Sequence, residues 1–162
     1  MSKWIATVLG VGYLKPAPGT WGSLAALPMF WALHQLGGWP VALASTIGVV
    51  FVGVWAIRRE TEGKDNHDPS EIVIDEVAGQ WIALLPVSIG AAAAGSDVLA
   101  LYPGWISAFI LFRLFDIWKP GPVGWADRKN TAWGVMLDDV FAGILAAIGT
   151  LLLAGLSHGF LL

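Results

Sequence analysis

The chain of 162 residues contains no cysteine. It therefore has no disulfide, no thiolate ligand for a metal and no cysteine nucleophile. Charges are also scarce: 13% of the residues are Asp, Glu, Lys or Arg, whereas about 25% is usual. The formal net charge of −3 offers no strongly basic surface, which argues against a nucleic-acid-binding protein.

Apolar residues take the place of the missing charges. They make up 56% of the chain, which also has 10 tryptophans. A single water-soluble domain of this length could not bury so much apolar surface, because small domains leave a large share of their surface exposed. Tryptophan accumulates at membrane–water interfaces. The composition predicts one integral membrane domain over residues 1–162.

Long uncharged runs predict the membrane helices. The 38 residues from Thr20 to Ile57 carry no charge, which suits two crossings of about 20 residues each. Gly37, Gly38 and Pro40 mark the break between them. We predict an all-α, polytopic membrane helical bundle of about five hydrophobic helices, at 20–36, 41–57, 72–95, 98–118 and 135–157. The first of these helices could span the membrane or form a re-entrant hairpin.

Most charged residues fall in two windows of the sequence, 58–76 and 113–139. If consecutive helices alternate in direction, both windows lie on the same side of the membrane. Basic residues in such loops favour the cytoplasmic side. The pattern predicts a polar site for a charged substrate at the cytoplasmic face.

Two acidic pairs begin predicted helices. They are Asp75-Glu76 and Asp138-Asp139, and a glycine follows four residues after Asp75 and after Asp139. A small residue one turn further on allows a neighbouring helix to approach closely. Four carboxylates brought together would repel one another unless a cation lies between them, and Mg²⁺ prefers such oxygen ligands. The alternative is that these acids only complement the helix dipoles.

Basic and hydroxyl side chains could bind an anion nearby. Arg113, Asp116 and Lys119 follow at intervals of three residues at the end of the fourth predicted helix. A charge inside an apolar run, such as Arg113, indicates a functional site, although an Arg113–Asp116 salt bridge could also be structural. Thr20 and Ser23 begin the first helix, where hydroxyls and backbone N–H groups could hold a phosphate or merely cap the helix.

Four motifs in this order resemble the phosphatidylglycerophosphatase A family, and the resemblance covers about residues 10–150. The motifs are Pro18-Gly19-Thr20-x-Gly22-Ser23, Ile72-Val73-x-Asp75-Glu76-x-x-Gly79-x-Trp81, Phe112-Arg113-x-x-Asp116-x-x-Lys119-Pro120 with Asp127-Arg128, and Gly134-x-Met136-x-Asp138-Asp139-x-x-Ala142-Gly143. The resemblance implies a magnesium-dependent phosphatase of the bacterial inner membrane. Such an enzyme converts the lipid phosphatidylglycerophosphate to phosphatidylglycerol and inorganic phosphate.

Together the residues and the resemblance lead to a hypothesis for the site. Mg²⁺ would be held by Asp75, Glu76, Asp138 and Asp139. The substrate phosphate would be bound by Thr20, Ser23, Arg113, Lys119, Asp127 and Arg128. Asp116 joins Asp75, Glu76 and Asp139 as a catalytic candidate. Either Asp116 or Asp127 could serve as the general base or support the metal ligands from outside. The nucleophile could be water or an aspartate.

Two other functions compete with the phosphatase. A small membrane transporter could use intramembrane carboxylates such as Asp75 and Asp139, although the charges gather on one side rather than near the midplane. A non-enzymatic membrane scaffold gives no reason for two acidic pairs. The sequence leads to no expectation for the oligomeric state.

Overall fold

A computed structural model describes residues 1–160 as helices joined by turns and loops. Residues 161 and 162, which the predicted single domain includes, lie outside the described residues. The α-helices are α1 (Ser2–Ala6), α2 (Pro18–Thr61), α3 (Ile74–Ala94), α4 (Tyr102–Trp118), α5 (Pro122–Asp127) and α6 (Ala132–Phe160). Short 3₁₀ turns at Val11–Tyr13 and Val98–Leu101 precede α2 and α4. The predicted all-α class is confirmed.

Helix α2 is two helical limbs joined at a sharp break. Gly37 and Gly38 leave helical geometry, and Gly38 has a φ of 65°, a left-handed conformation that glycine adopts without a steric cost. Pro40 lies two residues after Gly38 and cannot donate a backbone hydrogen bond to the preceding turn. The break lies where the sequence predicts it, so the first limb (18–36) and the second limb (39–61) correspond to the first two predicted helices.

The first limb of α2 runs alongside α3 in the same direction. At its beginning, a Cβ added to Gly19 would collide with the carboxylate of Glu76, in the first turn of α3. Near its end, the His34 Nδ1 lies 2.6 Å from the Ser88 hydroxyl, more than three turns further along α3. The second limb returns, because Gly53 lies against Ile74 at the start of α3. The first limb is therefore a continuous helix that follows α3 for more than three turns.

Among the described residues, four helices are long and apolar enough to cross a membrane: Pro18–Thr61, Ile74–Ala94, Val98–Trp118 and Ala132–Ser157. Large apolar side chains such as Phe51, Ile110, Ile117 and Leu152 point outward and are more than half exposed. An apolar exterior of this extent suits lipid rather than water. The chain is a polytopic membrane helical bundle with five apolar limbs, as predicted.

Helix α3 occupies the centre of the bundle. Much of its surface is buried against α2, α4 and α6. Helix α3 begins, α4 ends and α6 begins at the same end of the bundle, where Lys119 contacts Asp138. Both charged windows of the sequence therefore meet at one end, which we call the polar end (residues 58–76 and 113–139).

Candidate active site

Three carboxylates from two helices converge at the polar end. Asp75 and Glu76 belong to the first turn of α3, and Asp139 lies in the second turn of α6. Each offers one oxygen, and these three oxygens lie within 4.8 Å of one another. Asp75 and Asp139 are almost completely buried. The structure thus brings together three of the four predicted metal ligands.

Glycines in α3 and α6 allow the carboxylates to come this close. A Cβ on Gly143 would collide with the backbone carbonyl oxygen of Gly79. A Cβ on Gly79 would in turn lie 2.6 Å from the carbonyl oxygen of Asp139, a separation that real Cβ atoms do not show. The expected close approach one turn after each acidic pair is confirmed.

The carboxylate cluster of Asp75, Glu76 and Asp139 has unsatisfied oxygens. Within residues 1–160, the buried Glu76 Oε2 and Asp139 Oδ1 accept no hydrogen bond. Asp75 Oδ1 accepts one from the backbone N–H of Glu76, at 3.1 Å. Neighbouring carboxylates out of water repel strongly, and a divalent cation with oxygen ligands relieves that repulsion. The donor set therefore fits a hard cation such as Mg²⁺.

Asp138 faces a lysine and lies outside the carboxylate cluster. Its Oδ2 accepts a hydrogen bond from the Lys119 Nζ at 2.9 Å. The same Nζ contacts Asp127, at the end of α5. Burial acts to lower the pKa of Lys119, but its hydrogen bonds with Asp127 and Asp138 outweigh that effect and raise the pKa above its usual value. Lys119 is consequently a fixed positive charge beside the cluster.

Arg113 approaches the cluster from α4. Its Nη1 lies 2.8 Å from the Asp116 carboxylate and 3.4 Å from the Ser23 hydroxyl. The Ser23 hydroxyl itself donates to the Gly19 carbonyl at 2.9 Å. The Arg113–Asp116 salt bridge that the sequence suggested is present, and it lies in the site.

Gly19 makes room for the two charged groups. A Cβ at this position would lie 3.2 Å from Arg113 Nη1 and would overlap the Glu76 carboxylate. Because Gly19 has no side chain, a gap remains between the start of α2, the start of α3 and the end of α4. In this gap a carboxylate and a guanidinium both approach the first turn of a helix, where backbone N–H groups have no helical partner.

Comparison with known proteins identifies the family of the chain. The family model described as phosphatidylglycerophosphatase A matches residues 4–154. The chain belongs to the phosphatidylglycerophosphatase A family. It is therefore an enzyme, a phosphatase. No solved structure matches this chain.

Curated relatives resemble most of the chain. "Phosphatidylglycerophosphatase A" of Escherichia coli is 35% identical over 88% of this chain and 77% of the relative. The protein of the same name from Haemophilus influenzae is 37% identical over 89% of this chain and 83% of the relative. A Bacteroides thetaiotaomicron protein named "Putative phosphatidylinositol-3-phosphatase" is 38% identical over 89% of this chain and 87% of the relative.

Two further predicted phosphate ligands, Thr20 and Arg128, lie around the carboxylate cluster and not within it. Thr20 follows Gly19 in the first turn of α2 and is half-buried. Arg128 is exposed at the end of α5, and its guanidinium lies beside Gly124, which also packs against the Lys119 carbonyl. Arg128 is thus a neighbour of Lys119, and in the part of the chain that the structure describes it makes no hydrogen bond or ion pair with the carboxylate cluster.

Sequence reasoning missed Asp68, in the loop between α2 and α3. Desolvation raises the pKa of its carboxyl, Lys119 lowers it, and Asp127 and Asp116 raise it further. Asp68 therefore shares the electrostatic environment of the site. The sequence feature that could have identified Asp68 was its position within Asn66-His67-Asp68-Pro69, a few residues before the first acidic pair. His67, in the same motif, contacts the Thr61 hydroxyl at 3.0 Å.

Proposed function

We propose that the chain is a magnesium-dependent lipid phosphatase that hydrolyses phosphatidylglycerophosphate to phosphatidylglycerol and inorganic phosphate. One observation carries the proposal: three converging carboxylates, of which Glu76 and Asp139 have a buried oxygen without a hydrogen-bond partner, lie with Arg113 and Lys119 at the polar end of a membrane bundle. Carboxylates with a cation, next to basic side chains, form the kind of site that phosphoryl transfer requires. The names of two relatives supply the substrate.

Asp75, Glu76 and Asp139 are the residues that would hold Mg²⁺. When bound there, the cation would supply positive charge to the phosphoryl oxygens and make a water more acidic. Asp138 is proposed in a different role from the one that the sequence suggested, because its carboxylate is engaged by Lys119. It would hold the lysine in place and support the cluster from outside.

Arg113 and Lys119 would bind the substrate phosphate. A guanidinium can hold two phosphoryl oxygens at once, and an ammonium adds a compact positive charge. Ser23 and Asp116 keep Arg113 oriented through the contacts at 3.4 and 2.8 Å. Thr20, Asp127 and Arg128 would complete the phosphate site from its rim.

Hydrolysis needs an oxygen from water and a proton for the leaving alcohol. The P–O ester bond breaks, water supplies the new oxygen of the inorganic phosphate, and one of its protons goes to the lipid glycerol oxygen. Asp116 is the proposed base that accepts the proton from water. It lies at the polar end and its carboxylate is 15% exposed.

The polar end would face the cytoplasm of a bacterial inner membrane. Arg58, Arg59, Lys119, Arg128 and Lys129 all belong to that end, and basic residues accumulate on the cytoplasmic side of membrane proteins. A lipid substrate would then enter from the inner leaflet, with its phosphate at the level of the headgroups. The apolar exterior of the helices keeps the site in contact with that leaflet.

A second lipid phosphate is a candidate substrate. The name of the Bacteroides relative refers to a 3-phosphate on phosphatidylinositol, which is also a phosphate monoester on a lipid headgroup. The carboxylates and basic groups described above recognise that shared group. The transporter alternative has less support, since the carboxylate cluster lies at the polar end rather than halfway through the bundle.

The test is phosphate release by the protein purified in detergent. Phosphatidylglycerophosphate and phosphatidylinositol-3-phosphate are supplied separately, each with Mg²⁺ or with excess EDTA. We expect release from phosphatidylglycerophosphate that requires Mg²⁺ and stops with EDTA. Equal release with EDTA would refute the magnesium requirement, and faster release from the inositol lipid would reassign the substrate.

A further inference from the structure

Gln80 is a completely buried amide in the interior of a membrane helix. It lies one turn after Glu76 in α3, and its side chain is not exposed at all. Within residues 1–160, neither its amide nitrogen nor its amide oxygen has a hydrogen-bond partner. A buried polar group without a partner destabilises the folded protein. An apolar residue would fill the same place without that cost.

Other polar groups in the interior of the bundle mostly have partners. The Trp81 indole N–H, next to Gln80, donates to the Ala26 carbonyl at 3.0 Å. His34 and Ser88 contact each other deeper in the bundle, at 2.6 Å. The unpartnered amide at Gln80 is therefore not a general feature of how these helices pack.

Two side chains of the proposed site also have unpartnered buried atoms. Glu76 Oε2 and Arg113 Nε are both buried and without a partner in the described chain. Glu76 and Gln80 are four residues apart on one helix, so they share a face. The Phe112 ring would collide with a Cβ at Gly79. This contact places α4 against the first turns of α3, and Arg113, the next residue of α4, lies with Glu76 against Gly19.

The hydrogen-bonding capacities of these atoms are complementary. A carboxylate oxygen accepts, a guanidinium N–H donates, and a primary amide does both. Gln80 can donate its N–H to Glu76 and accept from the Arg113 Nε–H. A carboxylate that binds a metal through one oxygen is usually held by a hydrogen bond to the other. A single amide would then connect the proposed metal site to the proposed phosphate site.

We propose that Gln80 is a positioning residue of the active site. It holds the Glu76 carboxylate toward the cation and the Arg113 guanidinium toward the substrate phosphate. This inference rests on the proposed function, because it assumes that Glu76 holds Mg²⁺. It adds a residue that neither the acidic pairs nor the basic residues of the sequence single out.

The experiment compares Gln80→Met with wild type in two measurements. The first is the midpoint of thermal unfolding in detergent over a series of Mg²⁺ concentrations, starting from EDTA. The second is phosphate release over the same series. Thr150→Val is the matched control, because the Thr150 hydroxyl is also buried without a partner but lies on α6, away from the cluster.

We expect Gln80→Met to unfold in EDTA at a temperature equal to or above that of wild type, as the control does. Its stabilisation by Mg²⁺ should require a concentration about 10-fold higher or more, as is typical when a metal ligand loses its supporting hydrogen bond. Excess Mg²⁺ should restore part of the phosphate release. The control should keep the wild-type response to Mg²⁺ in both measurements.

Three results would overturn the proposal. A wild-type response to Mg²⁺ in folded Gln80→Met would show that the amide does not support the site. Failure of both Gln80→Met and Gln80→Leu to fold would show that the amide is structural, contrary to its lack of partners. If wild type itself is neither stabilised nor activated by Mg²⁺, the metal proposal fails, and the role of Gln80 fails with it.

Discussion

Gly143 on α6 packs against the backbone carbonyl of Gly79 on α3, with no space for a side chain between them. This contact holds the two helices at the distance at which their acidic residues meet. Because the obstacle to a larger residue is backbone, and not the tip of a flexible side chain, the helices must separate if either glycine is replaced.

We expect Gly143→Ala to destabilise the fold and to reduce activity. The added methyl group would force α3 and α6 apart, and overpacking of this kind typically costs about 1–3 kcal/mol. The measurement is the midpoint of thermal unfolding together with phosphate release. Gly155→Ala is the control on the same helix, because a Cβ there meets nothing within 4 Å. Equal midpoints for the two variants would contradict the close packing.

We expect Glu76→Gln and Asp139→Asn to lower phosphate release about 100-fold or more, the usual effect of losing one group that stabilises a developing charge. Both variants should remain folded, and their unfolding midpoint in EDTA should equal or exceed that of wild type, since one of three neighbouring carboxylates is removed. Glu62→Gln, an exposed acid paired with Arg59, is the control. Wild-type turnover in both cluster variants would rule out the carboxylate cluster as the catalytic centre.

We expect Gly19→Ala to be folded but poorly active. The new methyl group would meet the flexible end of the Glu76 side chain, so the carboxylate can move aside while the helices stay in place. Phosphate release should fall and the Mg²⁺ requirement should rise, with little change in the unfolding midpoint. Gly48→Ala, where a Cβ meets nothing within 4 Å, serves for comparison. A fully active Gly19→Ala protein would show that the position of Glu76 is unimportant.

We expect Lys119→Met to raise the KM for the lipid substrate about 10-fold, which corresponds to the loss of roughly 1.4 kcal/mol of binding. Lys119→Arg should recover part of the loss, because the positive charge stays. Lys129→Met provides a matched control, since the Lys129 ammonium lies over the Trp125 ring. An unchanged KM in Lys119→Met would indicate a lysine that only holds Asp138 and Asp127 together.

We expect Asp138→Asn to behave like a lysine variant and not like a metal-ligand variant. Its carboxylate accepts from Lys119 and lies outside the three-carboxylate cluster, so the KM should rise while the Mg²⁺ requirement stays close to that of wild type. The measurements are the KM for the lipid substrate and the Mg²⁺ dependence of phosphate release at saturating lipid. A large rise in the Mg²⁺ requirement would restore Asp138 to the metal ligands that the sequence predicts.

Much of the architecture followed from the position of charges along the chain. A run without charge long enough to cross a bilayer has few alternatives to a helix, because backbone polar groups in lipid must be satisfied within the segment. The break at Gly37 and Gly38 could also be predicted from the sequence, because glycine and proline residues close together interrupt a helix locally. Counting the membrane crossings predicted that both charged windows lie at one end of the bundle. The positions of Glu76 and Arg113, which both lie against Gly19, confirm this prediction.

The partners of individual side chains depended on the tertiary structure. Asp138 and Asp139 are equivalent in sequence, yet successive residues of a helix point about 100° apart, so one contacts Lys119 and the other joins the carboxylate cluster. Gly19 beside Glu76, and Gln80 buried without a partner, depend on how α2 and α4 pack against α3. The sequence by itself determined which residues are charged and which segments cross the membrane. The packing of the helices decided which of those charges meet, because that depends on distances between segments far apart in the chain.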